Sequence, residues 1–289
     1  MRYVKQFETS AQFNNFVLDS TNTPNVSLVE ELISTTGGLT FTPYIQSIHD
    51  YSQDYFTIEA IDNFEIMFTY GVEAGGTMYY SINNGSAWNE MNSMVSLSAG
   101  DKISFKGSPG VCMGSMYTFN LTGNGENNGE IDGKFNIEGN IMSLIYGDNF
   151  VGQTSFPEGY DWVFYSMFYG QINLVNAGNL ILPATTLADN CYSFMFSGCT
   201  SLTTAPELPA PVVVYNCYDY MFNGCTSLNY VKCLATTIQY YDDYNNEYSY
   251  ATESWLSNVS ASGIFVKSTG VNWPTGDNGI PTGWTVQDV

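Results

Sequence analysis

Six cysteines, a single histidine and a few close pairs of carboxylates are the residues of this chain with the types needed for covalent, metal or acid–base chemistry. The cysteines stand at Cys112, Cys191, Cys199, Cys217, Cys225 and Cys233, and His49 lies far from all of them in sequence. Neighbouring thiols are eight or more positions apart, which fits neither the closely paired ligands of a zinc site nor the framework of a small secreted disulfide domain. Two carboxylate pairs have the composition of a glycosidase site, Asp242 with Asp243 and Asp148 with Glu158. Adjacent residues of a strand point to opposite faces, so Asp242 and Asp243 make a poor acid–base pair. The segment Asn124-Gly125-Glu126-Asn127-Asn128-Gly129-Glu130-Ile131-Asp132 is dense in oxygen ligands, but counting from Asn124 the twelfth position is Phe135, where a calcium loop needs Glu. It reads as a polar hairpin loop. With no nucleophile elbow and no Gly-Lys-Ser/Thr phosphate loop, these patterns assign no catalytic residue, metal or cofactor, and the expectation is a protein that is not an enzyme.

The positions of the cysteines carry a different message. Asn190-Cys191-Tyr192-Ser193-Phe194-Met195-Phe196-Ser197-Gly198-Cys199-Thr200-Ser201-Leu202 aligns without a gap on Asn216-Cys217-Tyr218-Asp219-Tyr220-Met221-Phe222-Asn223-Gly224-Cys225-Thr226-Ser227-Leu228, 26 residues later. A weaker copy, Met167-Phe168-Tyr169-Gly170 with Leu174, stands 28 residues earlier, and Leu182-Pro183-Ala184 matches Leu208-Pro209-Ala210. Periods of roughly 20 to 29 residues belong to leucine-rich-type solenoids, whose units bury their faces only against their neighbours. In such a stack Cys191 lies over Cys217 and Cys199 over Cys225, as a buried ladder of small apolar thiols. The structural core is then Cys191, Met195, Phe196, Cys199 and Leu202 with Cys217, Met221, Phe222, Cys225 and Leu228. The Cys-x-x-x-Met-Phe-x-x-Cys half is expected to be a helical turn, and the Leu-Thr-Thr-Ala-Pro-Glu-Leu-Pro half an extended strand.

A strict period places Glu247 and Tyr248 where the next Met-Phe pair belongs, and neither suits a buried position. Trp255-Leu256 is the better counterpart, 34 residues after Met221-Phe222. The eight extra residues fall within Gln239 to Tyr250, a tyrosine-dense insertion that repeat logic puts on a surface loop. Tyr240, Tyr241, Tyr244, Tyr248 and Tyr250 are the candidate binding residues, and a solvated loop or a subunit contact is an equal reading. The last strand, Gly263 to Val266, and the segment Trp273 to Val286 read as a cap.

Upstream, Tyr55 to Ile61 and Phe64 to Phe68 alternate apolar and polar residues as strands do. Asn84-Gly85 predicts a type I′ hairpin turn within Thr77 to Glu90, and Lys102 to Lys106 and Tyr117 to Leu121 add two more strands. The fold expected is mainly β with short helices: residues 1–45 as a short separate module, 46–138 as a small antiparallel β-sandwich, and 139–289 as a leucine-rich-repeat-like solenoid with its cap.

Composition narrows the partners. The chain has 289 residues with 28 acidic against seven basic ones, a net charge of −21 and a pI near 4.1. That field repels nucleic acid and anionic membranes. Aromatic residues make up 16% of the chain, a palette of adhesive surfaces as well as of packed cores. The opening Met1-Arg2-Tyr3-Val4-Lys5-Gln6-Phe7-Glu8 has no apolar signal region and no segment reaches about 18 consecutive apolar residues, so neither a secretion signal nor membrane insertion is expected.

The Met-Phe-x-Gly-Cys-Thr-Ser-Leu units and the closing Gly-Ile-Pro-x-Gly-Trp-Thr-Val resemble BspA-type leucine-rich repeats of Bacteroidetes proteins and their phages, over residues 160–289. The opening Phe7-Glu8-Thr9-Ser10-Ala11-Gln12-Phe13-Asn14-Asn15-Phe16, followed by Thr23-Pro24-Asn25-Val26-Ser27-Leu28-Val29-Glu30, is similar to the N-termini of virion structural proteins of crAss-like Bacteroides phages. That resemblance implies a particle-attachment segment carrying Phe7, Phe13, Phe16, Pro24, Val26 and Leu28. It also implies a head or tail fibre, or a capsid decoration, on the outer surface of a virion assembled in the host cytoplasm. Its partners would be other virion proteins, further copies of the same chain and a host-surface glycan or protein. Symmetric fibres are commonly trimers, although nothing in these residues marks a three-fold seam. The other reading is a bacterial repeat protein that binds a protein partner and has no role in a virion.

Overall fold

A computed structural model describes residues 29–35, 38–44, 54–70, 76–82, 85–108, 119–123, 129–242 and 246–289. The chain divides into two compact units, Met1–Tyr51 and Ser52–Val289. In the first, β1 (Val29–Thr35) pairs antiparallel with β2 (Gly38–Tyr44), from Val29 opposite Tyr44 to Thr35 opposite Gly38. Phe7, Phe13, Phe16, Pro24, Val26 and Leu28 lie outside the described residues, as do His49, Cys112, Asp243, Tyr244 and Asn124 to Asn128.

The second unit is mainly β, arranged in several small sheets. Its first strands are β3 (Phe56–Ala60), β4 (Phe64–Tyr70), β5 (Met78–Ser81), β6 (Asn89–Glu90), β7 (Val95–Leu97), β8 (Lys102–Gly107), β9 (Phe119–Gly123) and β10 (Phe135–Asn140). Along β4 every second residue is buried, the period of a strand with one face on a core. One antiparallel sheet runs β7-β4-β9, and another contains β10-β3-β8-β5-β6. Phe68 of the first meets Phe105 of the second edge-on at 5.1 Å and Phe56 at 5.9 Å, so the two sheets share one core. The hairpin of β5 and β6 forms, with Tyr80 opposite Asn89 as the pair nearest its connection, and Asn84, on which the expected type I′ turn falls, lies outside the described residues. Trp88 is drawn out of that connection to pack edge-on against Tyr55 at 4.7 Å.

Among the described residues, helix is confined to one turn, α1 (Ser143–Tyr146), and the 3₁₀ turn that follows it, Gly147–Asn149. The turn is pinned into the sheet: Ser143 Oγ donates to Phe105 O at 2.9 Å and accepts from Phe56 N at 3.0 Å, while Tyr70 OH donates to Leu144 O at 2.6 Å.

The remaining strands are β11 (Leu174–Ile181), β12 (Tyr230–Cys233), β13 (Gln239–Asp242), β14 (Glu247–Tyr250), β15 (Ile264–Lys267) and β16 (Thr285–Asp288). β11 lies parallel to β10, so the six-stranded sheet continues across the division expected between residues 138 and 139. The extended halves of the repeats succeed one another in parallel. Asn176 bridges to Thr204, Thr204 to Tyr230 and Leu208 to Cys233, and β12, β15 and β16 then form a parallel sheet. Pro206 and Pro209 interrupt the middle rung, where only isolated bridges form because proline has no N–H to give to a ladder.

The Cys-x-x-x-Met-Phe-x-x-Cys half is not a helical turn but a chain of tight turns. Cys191, Ser193, Met195, Ser197 and Cys199 each donate to the carbonyl three residues back. The amides between them point outward to the following unit: Tyr192 to Cys217 O, Phe194 to Asp219 O, Phe196 to Met221 O and Gly198 to Asn223 O, at 2.8 to 3.1 Å. A helix would turn every amide inward, whereas this run spends half of them on its neighbour. The cost is a left-handed backbone at every fourth residue, Asn190, Phe194 and Gly198, then Asn216, Tyr220 and Gly224. The same pattern links Phe164 to Cys191 and Phe168 to Met195 on one side, and Phe222 to Trp255 and Gly224 to Ser257 on the other. Trp255 thus takes the place of Met221.

Stacked rings follow the same steps. Phe168, Phe196 and Phe222 lie parallel at 5.3 and 5.4 Å, and Phe164, Tyr192 and Tyr218 at 5.9 and 6.1 Å. At one end these columns continue into the sheets through Phe119 against Phe164 and Phe56 against Phe168. At the other end Trp255 stacks on Trp273 at 5.3 Å.

Candidate functional site

All ten proposed repeat-core residues, from Cys191 to Leu228, are fully buried. The thiols of Cys199 and Cys225 donate to Phe168 O and Phe196 O, each at 3.0 Å. Burial pushes the Cys225 and Cys233 thiols up to about 12 and that of Cys191 higher still, so the nucleophilic thiolate is suppressed. The thiols fill space.

Asp148 is engaged by its neighbours. Lys106 Nζ donates to both of its carboxylate oxygens at 2.8 and 2.9 Å, and Tyr55 OH adds a bond of 2.8 Å. The hydrogen bond from Lys106 holds Asp148 below the usual carboxylate range, an ionised state unsuited to giving a proton. Lys106 also lies 4.4 Å from the centre of the Trp88 ring. The cluster is a resident cation held by a ring and an acid.

The tyrosine-dense insertion is the antiparallel hairpin of β13 and β14. Tyr240 stands opposite Ser249 and Asp242 opposite Glu247. Cross-strand partners share a face, and alternation puts these four on one side of the ribbon. That side borders a recess of about 800 Å³. Tyr240 is fixed there by donating to Asn216 Oδ1 at 3.0 Å and by edge contact with Tyr215 at 5.3 Å. The opposite wall is the turn from Pro274 to Gly279. Asn278 anchors it to the neighbouring run, accepting from Ser254 N at 3.1 Å and from Thr252 Oγ1 at 2.8 Å, while Trp255 Nε1 donates to Gly279 O at 2.8 Å. A Cβ at Gly279 would fall 2.0 Å from Pro274 O, so this wall closes only with glycine there. Between the walls, Glu253 Oε1 accepts from Tyr220 OH at 2.7 Å and Glu253 N donates to Asp219 Oδ1 at 2.8 Å. Burial raises Asp219 to about 7.

Of the five candidate tyrosines, Tyr240, Tyr248 and Tyr250 line the recess, but strand alternation puts the side chains of Tyr248 and Tyr250 on the other side of the ribbon, with Tyr241. Tyr241 packs edge-on against Tyr248 at 5.2 Å and donates to Asn246 Oδ1 at 2.7 Å, and Tyr244 lies outside the described residues. Sequence reasoning missed Asn216, Glu253, Ser254 and the whole 274–279 wall. Glu253 and Ser254 were within reach, because the 34-residue offset that matches Trp255 with Met221 also matches them with Asp219 and Tyr220. No spacing points to Asn278. Carboxylates dominate the rim, with Asp242, Glu247, Glu253 and Asp277, and no Lys or Arg is among the described lining residues. Among the described residues no group of three or more His, Cys, Asp or Glu is disposed to hold a metal ion, and no helix is long and apolar enough to cross a membrane.

The chain matches no family model, no curated protein and no solved structure.

Proposed function

We propose that this chain is a structural protein of a phage virion, a head or tail fibre or a capsid decoration, which presents a repeat surface for adhesion to a host glycan. On this reading residues 1–45 attach to the particle, 46–138 form a small antiparallel β-sandwich as a spacer, and 139–289 form a short leucine-rich-repeat-like solenoid with its cap. The solenoid reading is supported by amide-to-carbonyl bonds that join equivalent positions of successive units in one direction. The observation that carries the adhesive role is the recess beside the 34-residue step, where the repeat departs from its period to build a polar, tyrosine-rimmed hollow. An acidic, aromatic surface of this kind binds weakly per site and gains strength from many copies on one particle. The role is binding, without catalysis.

Two measurements test it. The chain is expected in the proteome of purified virions, and the purified protein is expected to label host cells, with loss of labelling on mild periodate oxidation of cell-surface glycans. Labelling without presence in virions would favour the bacterial interaction module. Presence in virions without labelling would leave a structural role and remove the adhesive one.

A further inference from the structure

Resting on that adhesive reading, we infer that the recess between the β13–β14 hairpin and the 274–279 turn is a binding site for a sugar carrying a free, protonated amino group.

Charge is the first argument. Glu247, Glu253 and Asp277 border the hollow, and no basic side chain stands among the described lining residues. Elsewhere four of the described lysines stand close against acids: Lys102 against Glu138 at 2.6 Å, Lys106 against Asp148 at 2.8 Å, Lys232 against Glu207 at 2.8 Å, and Lys267 against Asp288. Carboxylates around one concavity disfavour an acidic ligand and draw a cation toward it.

The second argument is an arrangement the molecule already contains. At Asp148 an acid and an aromatic ring hold the ammonium of Lys106, with the ring centre 4.4 Å away. The recess offers the same two components, carboxylates and the rings of Tyr215 and Tyr240, and no lysine of its own among the described lining residues.

The third is shape and polarity. A volume of about 800 Å³ suits an oligosaccharide better than a lone amine. Asn278, Ser249 and Thr275 on its walls can orient ring hydroxyls, and the carboxylates accept hydrogen bonds from them. The walls are tied by hydrogen bonds before any ligand arrives, which limits the ordering cost of binding.

The test titrates the full chain calorimetrically with three probes: a β-1,4-linked glucosamine tetrasaccharide, its fully N-acetylated form, and tetralysine. The free-amine sugar is expected to bind about tenfold more tightly than either of the others. Glu247→Gln combined with Asp277→Asn should weaken it about tenfold while leaving tetralysine unchanged, since the variant keeps almost all of the protein's acidity. Tyr215→Ala, an exposed position whose ring meets Tyr240, gives a second variant that leaves the carboxylates in place and should weaken the sugar alone. Equal binding of the acetylated sugar would overturn the need for an ammonium. Equal binding of tetralysine would show that charge alone is read. No binding of any probe, or binding indifferent to both variants, would remove the site. In each of these cases host-cell labelling by the wild-type protein would still sustain adhesion, and labelling lost while the amino sugar binds would overturn adhesion alone.

Discussion

A thiol at the surface invites zinc or redox chemistry, and the same thiol packed under a carbonyl does neither. Cys191, Cys199, Cys217, Cys225 and Cys233 are buried with their thiols held well above neutrality, so a protein in which Cys112 is replaced by serine should be silent to a thiol reagent until it unfolds. Counting labelled cysteines by mass spectrometry at increasing denaturant checks this. Asp219 responds to pH. Burial raises its folded pKa to about 7 from an ordinary value of 3.8, so the fold favours the protonated acid. Between those values the native state holds more protons than the unfolded chain, and stability from this group is greatest below about pH 4 and is lost as pH rises toward 7. Asp219→Asn should therefore raise Tm relative to the wild-type protein by more at pH 8 than at pH 5, which thermal unfolding at the two pH values measures.

The turn run of each repeat trades a helix's internal bonds for bonds to its neighbour, and it needs left-handed residues to do so. Gly198 has φ +79°, and a Cβ there would rest 3.5 Å from Gly170 Cα without a clash. Gly198→Ala should thus cost only the backbone strain, about 1–2 kcal/mol. Phe196→Ala opens the middle of a three-ring column and should cost about 3–5 kcal/mol. Chemical denaturation of both variants separates the two origins. Phe194 and Tyr220 accept the same strained backbone because each amide reaches the next unit and their rings stack at 4.7 Å.

Across the whole molecule, β10 gives β11 its parallel neighbour, and Phe56 and Phe119 cover the first rings of both columns. A fragment of residues 52–289 should unfold in one cooperative transition. One starting at residue 139 lacks those covers and should lose cooperativity, as seen by circular dichroism on heating. The surplus of acid adds a salt effect: at a net charge of −21, Tm should rise as sodium chloride is raised from low ionic strength and self-repulsion is screened.

Much of the repeat was legible in the chain itself, because units that stack their rings and join their backbones in register must place their cysteines, phenylalanines and leucines at fixed intervals. The 26-residue match, the weaker copy 28 residues earlier and the 34-residue step to Trp255 each reappear as lines of backbone hydrogen bonds. Periodicity is blind to backbone conformation, however, and the turns replaced the expected helix because alternate amides are satisfied by residues about 25 positions away. The recess was half visible. Its tyrosines announced themselves by density on one local hairpin, whereas Asn216 and Asn278, 62 residues apart, meet beside it only because the stack folds distant segments onto one side. Local spacing records which faces must be buried, and only the assembled core decides which loops are left to stand together.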